Sequence, residues 1–180
     1  MPNVDQMFVL TGGPGSGKST LIAALAAEGI SHMPEAGRAI IQDQVAKGGS
    51  ALPWSDRLAF AELMLQRDTQ SYRLAQELSA PVVFDRGVPD VVGYLRLVGL
   101  PVPQHFYQAA LTFRYNRRVF IAPHWPEIFR RDQERKQSPQ EAEATYRVMF
   151  EVYSELGYEL IPLPLAPVAE RVQFVREVIG

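Results

Sequence analysis

Residues 12–19 of the chain read Gly12-Gly13-Pro14-Gly15-Ser16-Gly17-Lys18-Ser19. It matches the pattern G-x-x-x-x-G-K-[ST] at every specified position, and the apolar run Met7–Leu10 leads directly into it. Glycines let the backbone turn sharply, so that successive N–H groups point inward. Together with the start of the following helix, these groups form a cradle for an anion. The motif therefore predicts a strand, a phosphate-binding loop and a helix, in that order.

The same motif predicts the ligand, a nucleoside triphosphate with Mg²⁺. Lys18 would place its charge on the β- and γ-phosphates, the Ser19 hydroxyl would coordinate Mg²⁺, and Thr20 would assist. The chain has no Asn-Lys-x-Asp or Thr-Lys-x-Asp run to recognise guanine. We therefore expect ATP, while GTP stays open. The predicted nucleotide-binding residues are Gly12, Gly13, Pro14, Gly15, Ser16, Gly17, Lys18, Ser19 and Thr20.

Outward from the loop, short apolar runs alternate with segments of helical pattern. The predicted strands are Met7–Leu10, about 30–34, 81–85, 119–122 and 159–163. The predicted helices include about 18–28, 36–47, 55–78, 138–156 and 167–179. Ser55 is the expected N-cap of the third helix, and Ser138 with Glu141 predicts a capping box for the fourth. This alternation predicts an α/β fold with a parallel sheet.

Two carboxylates are expected at the carboxyl edge of the sheet, where ligands bind in such folds. Asp85 ends the third strand and is followed by Arg86 and Gly87. It could hold Mg²⁺ or accept a proton from an attacking hydroxyl. Glu35 follows the second strand, together with Arg38, and would face an acceptor molecule. The choice between Glu35 and Asp85 as the base stays open at this point.

A charged segment lies between the fourth strand and the capped helix. At about 124–137 it would form a mobile lid, with Arg131 and Arg135 stabilising charge on the transferring phosphoryl group. The alternative is a charged, exposed connection. Three aromatic residues, Trp54, Tyr94 and Trp125, could line an acceptor or base pocket, although packing in the core or at its rim is the more common role.

Composition sets the remaining limits. The chain has 180 residues, a formal net charge of −2 and no cysteine, so disulfides and thiolate metal sites are excluded. It has neither a membrane-length apolar run nor a signal-peptide pattern, which predicts a cytoplasmic protein without a membrane partner. The net charge argues against a nucleic-acid partner, although residues 114–136 hold seven positive and three negative side chains.

The glycine loop, Glu35-Ala36-Gly37-Arg38, Asp85-Arg86-Gly87 with Asp90, and the Asp132–Arg135 segment together resemble a known group. They are similar to the small "predicted ATPase" proteins (AAA-like ATPase domain) of the kinase-like P-loop branch, and to the ribosylnicotinamide-kinase domain. The resemblance implies a three-layer P-loop fold over residues 1–180, with a five-stranded sheet in the order 2-3-1-4-5. It also implies lid arginines at Arg131 and Arg135, and it names no substrate.

Three functions compete at this stage. The first is a phosphotransferase that moves the γ-phosphoryl group of ATP to a small acceptor, bound between residues 36–79 and 89–113. The second is a nucleotide-dependent switch or binding module, and the third is a hydrolase or a nucleic-acid end kinase. The arginine segment and the long helical inserts favour the first.

Overall fold

The computed structural model describes residues 4–126 and 138–180. Its five strands are β1 (Met7–Gly12), β2 (Ser31–Met33), β3 (Val82–Asp85), β4 (Arg118–Ala122) and β5 (Glu159–Pro162). The longer helices of these two ranges are α1 (Lys18–Ala27), α2 (Ala36–Lys47), α3 (Arg57–Gln76), α4 (Val88–Leu97), α5 (Gln104–Thr112), α6 (Pro139–Glu155) and α7 (Val168–Ile179). The predicted alternation of strands and helices is confirmed.

All five strands are parallel and lie in the order β2-β3-β1-β4-β5. The order 2-3-1-4-5 is therefore confirmed. Leu10 pairs in register with Asp85, and Gly12 pairs with Ala122. Because the carboxyl ends of parallel strands meet at one edge, the loop after β1 and the carboxylate that ends β3 become neighbours.

Helices cover both faces of the sheet, which gives three layers. In β1, Met7 and Val9 pack against α4, α5 and α6, whereas Phe8 and Leu10 pack against α1 and α7. All four side chains are buried. A strand that is covered on both faces has no polar face, and this explains why β1 appears in the sequence as an unbroken apolar run.

The helix ends follow the local capping chemistry, with one correction. Ser138 accepts a hydrogen bond from the backbone N–H of Glu141 at 3.1 Å, as predicted. The prediction of Ser55 as N-cap is wrong, since the Asp56 carboxylate accepts from the Ala59 N–H at 3.1 Å instead. Serine and aspartate are equally good caps, so two of them in succession leave the helix start undetermined by one residue.

Within the two described ranges, none of the helices combines the length and the apolar character that a membrane crossing requires.

Candidate active site

The predicted phosphate-binding loop connects β1 to α1 at the carboxyl edge of the sheet. Gly17 is the N-cap of α1 with φ 84°, a left-handed conformation that favours glycine. At Gly12 an added Cβ would lie only 2.5 Å from the carbonyl oxygen of Ala122 in β4. The Ser16 hydroxyl donates to the Gly13 carbonyl at 2.7 Å and tightens the loop. These features fit the loop that the motif predicts, in which the N–H groups and the start of α1 could hold an anion.

Lys18 and Asp85 lie together beside this loop. The Lys18 Nζ is 3.8 Å from Oδ1 of Asp85, and both side chains are nearly buried. Burial lowers the pKa of Lys18, and the charge of Arg86 lowers it further, against the opposing effect of Asp85. Burial raises the pKa of Asp85, although Lys18 acts in the opposite direction. An anion beside Lys18 and a cation beside Asp85 would therefore both be stabilised here.

Asp85 also meets the requirements of a Mg²⁺ ligand. Its Oδ1 is buried and has no hydrogen-bond partner among the described residues. Asp85 and Ser19 border one cavity of about 350 Å³. Over residues 4–126 and 138–180 there is no cluster of three or more His, Cys, Asp or Glu side chains able to hold a metal ion. A nucleotide-bound Mg²⁺ does not need one, because it takes one or two protein oxygens and completes its shell with phosphate and water.

Arg86 links the second carboxylate, Glu35, to α4. Its Nε is 3.8 Å from Oε1 of Glu35, and its Nη1 donates to Oδ1 of Asp90 at 3.3 Å. Arg86 has φ 69°, a conformation that costs energy for a residue with a side chain. Burial alone would raise the pKa of Glu35, but Arg86, Lys18 and Arg38 outweigh it and lower that pKa. Glu35 is therefore held in its ionised form.

Asp90 is the hydrogen-bond centre of this region, a role that the sequence did not reveal. Besides Arg86, its carboxylate accepts from the Thr11 hydroxyl, from the Gly87 N–H at 2.8 Å and from the Tyr153 hydroxyl at 2.5 Å. Asp90 is 5% exposed. The contacts reach β1 and α6, which lie far away in the chain. Only the bonds to Gly87, which caps α4, and to Arg86 are local enough for a sequence pattern to predict.

One large cavity of about 660 Å³ extends from the loop into the space between α2, α3 and α4. Its loop end is lined by Pro14, Gly15, Ser16, Gly17, Lys18, Ser19 and Thr20. Further lining residues include Glu35, Arg38, Phe60, Met64, Asp68, Arg86, Asp90 and Tyr94. Its size is that of a small-molecule site. The cavity brings most of the predicted site residues together, and it adds Asp68, which no motif marked.

The three aromatic candidates have different positions. Tyr94 lines the cavity, which is one of the two positions that the sequence left open for it. Trp54 is 65% exposed and does not line it. The Trp125 ring lies against the guanidinium of Arg171, which is 4.6 Å from the ring centroid.

Arg171 supports the loop from the far end of the chain. It is 2% exposed, and its Nη1 donates to the Ser16 carbonyl at 2.6 Å. Its Nε donates to the Pro164 carbonyl at 2.7 Å. Burial lowers the pKa of Arg171. A buried arginine bonded to the loop backbone holds the cradle against α7, and sequence analysis missed it because 155 residues separate the two partners.

In the described part of the basic stretch 114–136, two of the three arginines make contacts within the protein. Arg114 and Arg118 lie at the amino end of β4, opposite to the end that faces the loop. Arg114 stacks over the Tyr158 ring at 4.1 Å, and Arg118 donates to the Val178 carbonyl at 3.0 Å. These contacts are structural, which weakens the case for a nucleic-acid surface. Arg131 and Arg135 lie outside the described residues.

The comparison with protein families now identifies the group. The model of the AAA domain family matches residues 7–171, nearly the whole chain. The chain belongs to the AAA domain family. This confirms the resemblance to AAA-like P-loop proteins. No curated protein matches this AAA domain chain.

Solved structures with the same fold include two small-molecule kinases. Deoxyadenosine kinase from M. mycoides aligns at a TM-score of 0.68 and 14% identity, over 96% of this AAA domain chain and 98% of the kinase. Shikimate kinase from Acinetobacter baumannii aligns at 0.57 and 14% identity, over 97% and 92%. YorR from Bacillus subtilis, in complex with phosphorylated GDP, aligns at 0.57 and 14% identity, over 96% and 95%. At this identity the likeness shows a kinase-like P-loop fold.

Proposed function

We propose that the protein is a Mg²⁺-dependent phosphotransferase that moves the γ-phosphoryl group of ATP to a hydroxyl of a small molecule. The single observation that carries the proposal is the continuous cavity between the loop and the helices α2, α3 and α4. A switch or a simple nucleotide-binding module would need only the loop end. A cavity that also offers buried carboxylates beyond the loop provides room for a second substrate.

The residues of the loop, Asp85 and the segment 124–137 have separate roles in this reaction. Lys18 and the loop N–H groups bind the phosphates and stabilise the charge that develops during transfer. The Ser19 hydroxyl and Asp85 would hold Mg²⁺, which supplies charge neutralisation at the phosphates. We also infer that residues 1–180 act as one kinase-like domain. Residues 124–137 would close over the nucleotide as a lid and place Arg131 and Arg135 on the transferring group.

Glu35 is the better candidate for the base. It lines the large cavity, whereas Asp85 lines only the smaller one beside Ser19. Its lowered pKa keeps it ionised and able to accept a proton. In the proposed step the acceptor hydroxyl gives its proton to Glu35 and its oxygen attacks the γ-phosphorus. The bond between that phosphorus and the β,γ-bridging oxygen breaks, and ADP leaves.

The test is to incubate the purified protein with Mg·ATP or Mg·GTP and with pools of nucleosides, sugars and other alcohols. ADP or GDP formation and the mass of phosphorylated products would be measured. We expect one pool to accelerate turnover, Lys18→Ala to abolish it and Glu35→Gln to lower kcat. Asp85→Asn should instead raise the Mg²⁺ concentration needed for half-maximal rate. Tight nucleotide binding without transfer to any pool would overturn the proposal in favour of a binding module.

A further inference from the structure

One face of α3 lines the end of the cavity that lies beyond the loop. Phe60, Met64 and Asp68 are spaced four residues apart, so they follow one another along the same side of the helix. The Phe60 ring meets the Tyr94 ring of α4 edge to face, with centroids 5.4 Å apart. Phe60 and Met64 thus form an apolar wall that ends in the carboxyl group of Asp68.

Two polar groups in this wall have no partner among the residues that the structure describes. Asp68 is only 7% exposed, yet it forms neither a hydrogen bond nor an ion pair with any residue in 4–126 or 138–180. The Tyr94 hydroxyl oxygen is buried and also lacks a hydrogen-bond partner among these residues. Buried polar groups in folded proteins are nearly always paired. Two unpaired groups that line one cavity indicate that a ligand supplies their partners.

The neighbouring charged groups are already engaged with one another. Glu35 pairs with Arg86, Arg86 pairs with Asp90, and Asp90 accepts three further hydrogen bonds. Among the described carboxyl groups that line the large cavity, Asp68 differs from Glu35 and Asp90 in having neither an ion pair nor a hydrogen bond. Burial, followed by the charges of Asp90 and Glu35, raises the pKa of Asp68 well above its usual range. A hydrogen-bond donor, or a cation above all, would stabilise its ionised form.

The cation content of this region argues against a phosphorylated acceptor. Among the described lining residues, α3 and α4 contribute Asp68 and Asp90 but neither lysine nor arginine. Arg86 is neutralised by two carboxylates. Arg38 of α2 also lines the cavity, but its side chain is exposed and its charge acts on Glu35. A phosphate on the acceptor would therefore meet carboxyl groups without a free cation from either helix, and this arrangement disfavours its binding.

Resting on the proposed phosphotransfer, we propose that the acceptor is an unphosphorylated hydroxyl compound that carries an amino group, and that Asp68 binds this amino group. The Tyr94 hydroxyl hydrogen-bonds to a second polar atom of the same compound, and its body lies against Phe60 and Met64. An amino group of this kind occurs on nucleoside bases and on amino sugars.

The experiment compares acceptors that differ in the amino group or in a phosphate. Cytidine is paired with uridine, glucosamine with glucose, and cytidine with its 5′-monophosphate. Phosphate transfer from Mg·ATP is followed by mass spectrometry, and binding without nucleotide by calorimetry. The proteins are wild type, Asp68→Asn, Tyr94→Phe and the control Asp43→Asn, which removes only an exposed carboxylate paired with Lys47.

We expect one amino compound to have a KM at least about tenfold below that of the paired compound that lacks the amino group. Asp68→Asn should raise that KM by about 10- to 100-fold with kcat nearly unchanged, the loss of one hydrogen bond to a buried charge. Tyr94→Phe should have a smaller effect and Asp43→Asn none. An Asp68-dependent binding preference without phosphate transfer would keep this inference and overturn the proposed function. Any of four results would overturn the inference. These are equal transfer to both members of a pair, a preference for the monophosphate, an unchanged KM in Asp68→Asn, and no binding of any probe.

Discussion

Replacing Asp90 should destabilise the protein more than any change to an exposed carboxylate. Asp90→Ala removes the acceptor of three buried donors, which are the hydroxyls of Thr11 and Tyr153 and the N–H of Gly87. Each buried donor left without an acceptor costs roughly 1–3 kcal/mol, or roughly 3–9 kcal/mol for three. Water can enter the vacated space and serve some of them. We therefore expect a loss of about 3–6 kcal/mol, a large part of a domain's usual stability.

The assay is urea unfolding followed by circular dichroism, with thermal melts in parallel. For a chain of this size the melting temperature should fall by about 10 °C. The control Asp43→Ala removes an exposed ion pair to Lys47 and should change the free energy of unfolding by less than about 0.5 kcal/mol. Thr11→Val should cost less in the Asp90→Ala background than in wild type. A loss below about 1 kcal/mol in Asp90→Ala, with an unchanged urea dependence, would show that Asp90 does not hold these three donors in solution.

Three further predictions concern the pKa of Glu35, the burial of Asp68 and the bond between Arg171 and the loop. Arg86→Gln removes the main charge that lowers the pKa of Glu35, so this pKa should rise. Because only ionised Glu35 can accept a proton, the acidic limb of the profile of kcat/KM against pH should move to higher pH. Asp68→Asn should raise the free energy of unfolding at pH 7 by about 1 kcal/mol in urea titrations, because the raised pKa of Asp68 means that folding disfavours its charged form. The gain should vanish as the pH falls below the ordinary pKa of aspartate, where Asp68 is protonated in both the folded and the unfolded protein. Arg171→Met removes the bond to the Ser16 carbonyl and should weaken nucleotide binding about tenfold by calorimetry, with partial recovery in Arg171→Lys.

The loop and the sheet could be predicted from the sequence because their determinants are local. A turn that needs glycine at Gly12 and Gly17, with Lys18 beginning the next helix, is specified by adjacent residues. The apolar run at β1 reflects burial on both faces. Asp85 could be placed near the loop because the ends of parallel strands share an edge. The exact start of α3 could not be predicted, since Ser55 and Asp56 are equally good caps.

The contacts of the groups around the cavity could be found only from the tertiary structure. Asp90 reaches Thr11 and Tyr153, which are 79 and 63 residues away, and Arg171 reaches a loop 155 residues away. Asp68 lies at an ordinary helical position, and only the packing of α3 leaves its carboxyl group buried without a partner in the described part of the chain. Capping and turn preferences act between neighbours in the chain, so the sequence displays them. Burial and the pairing of distant charges arise when the helices pack on the sheet, so they become visible only in three dimensions.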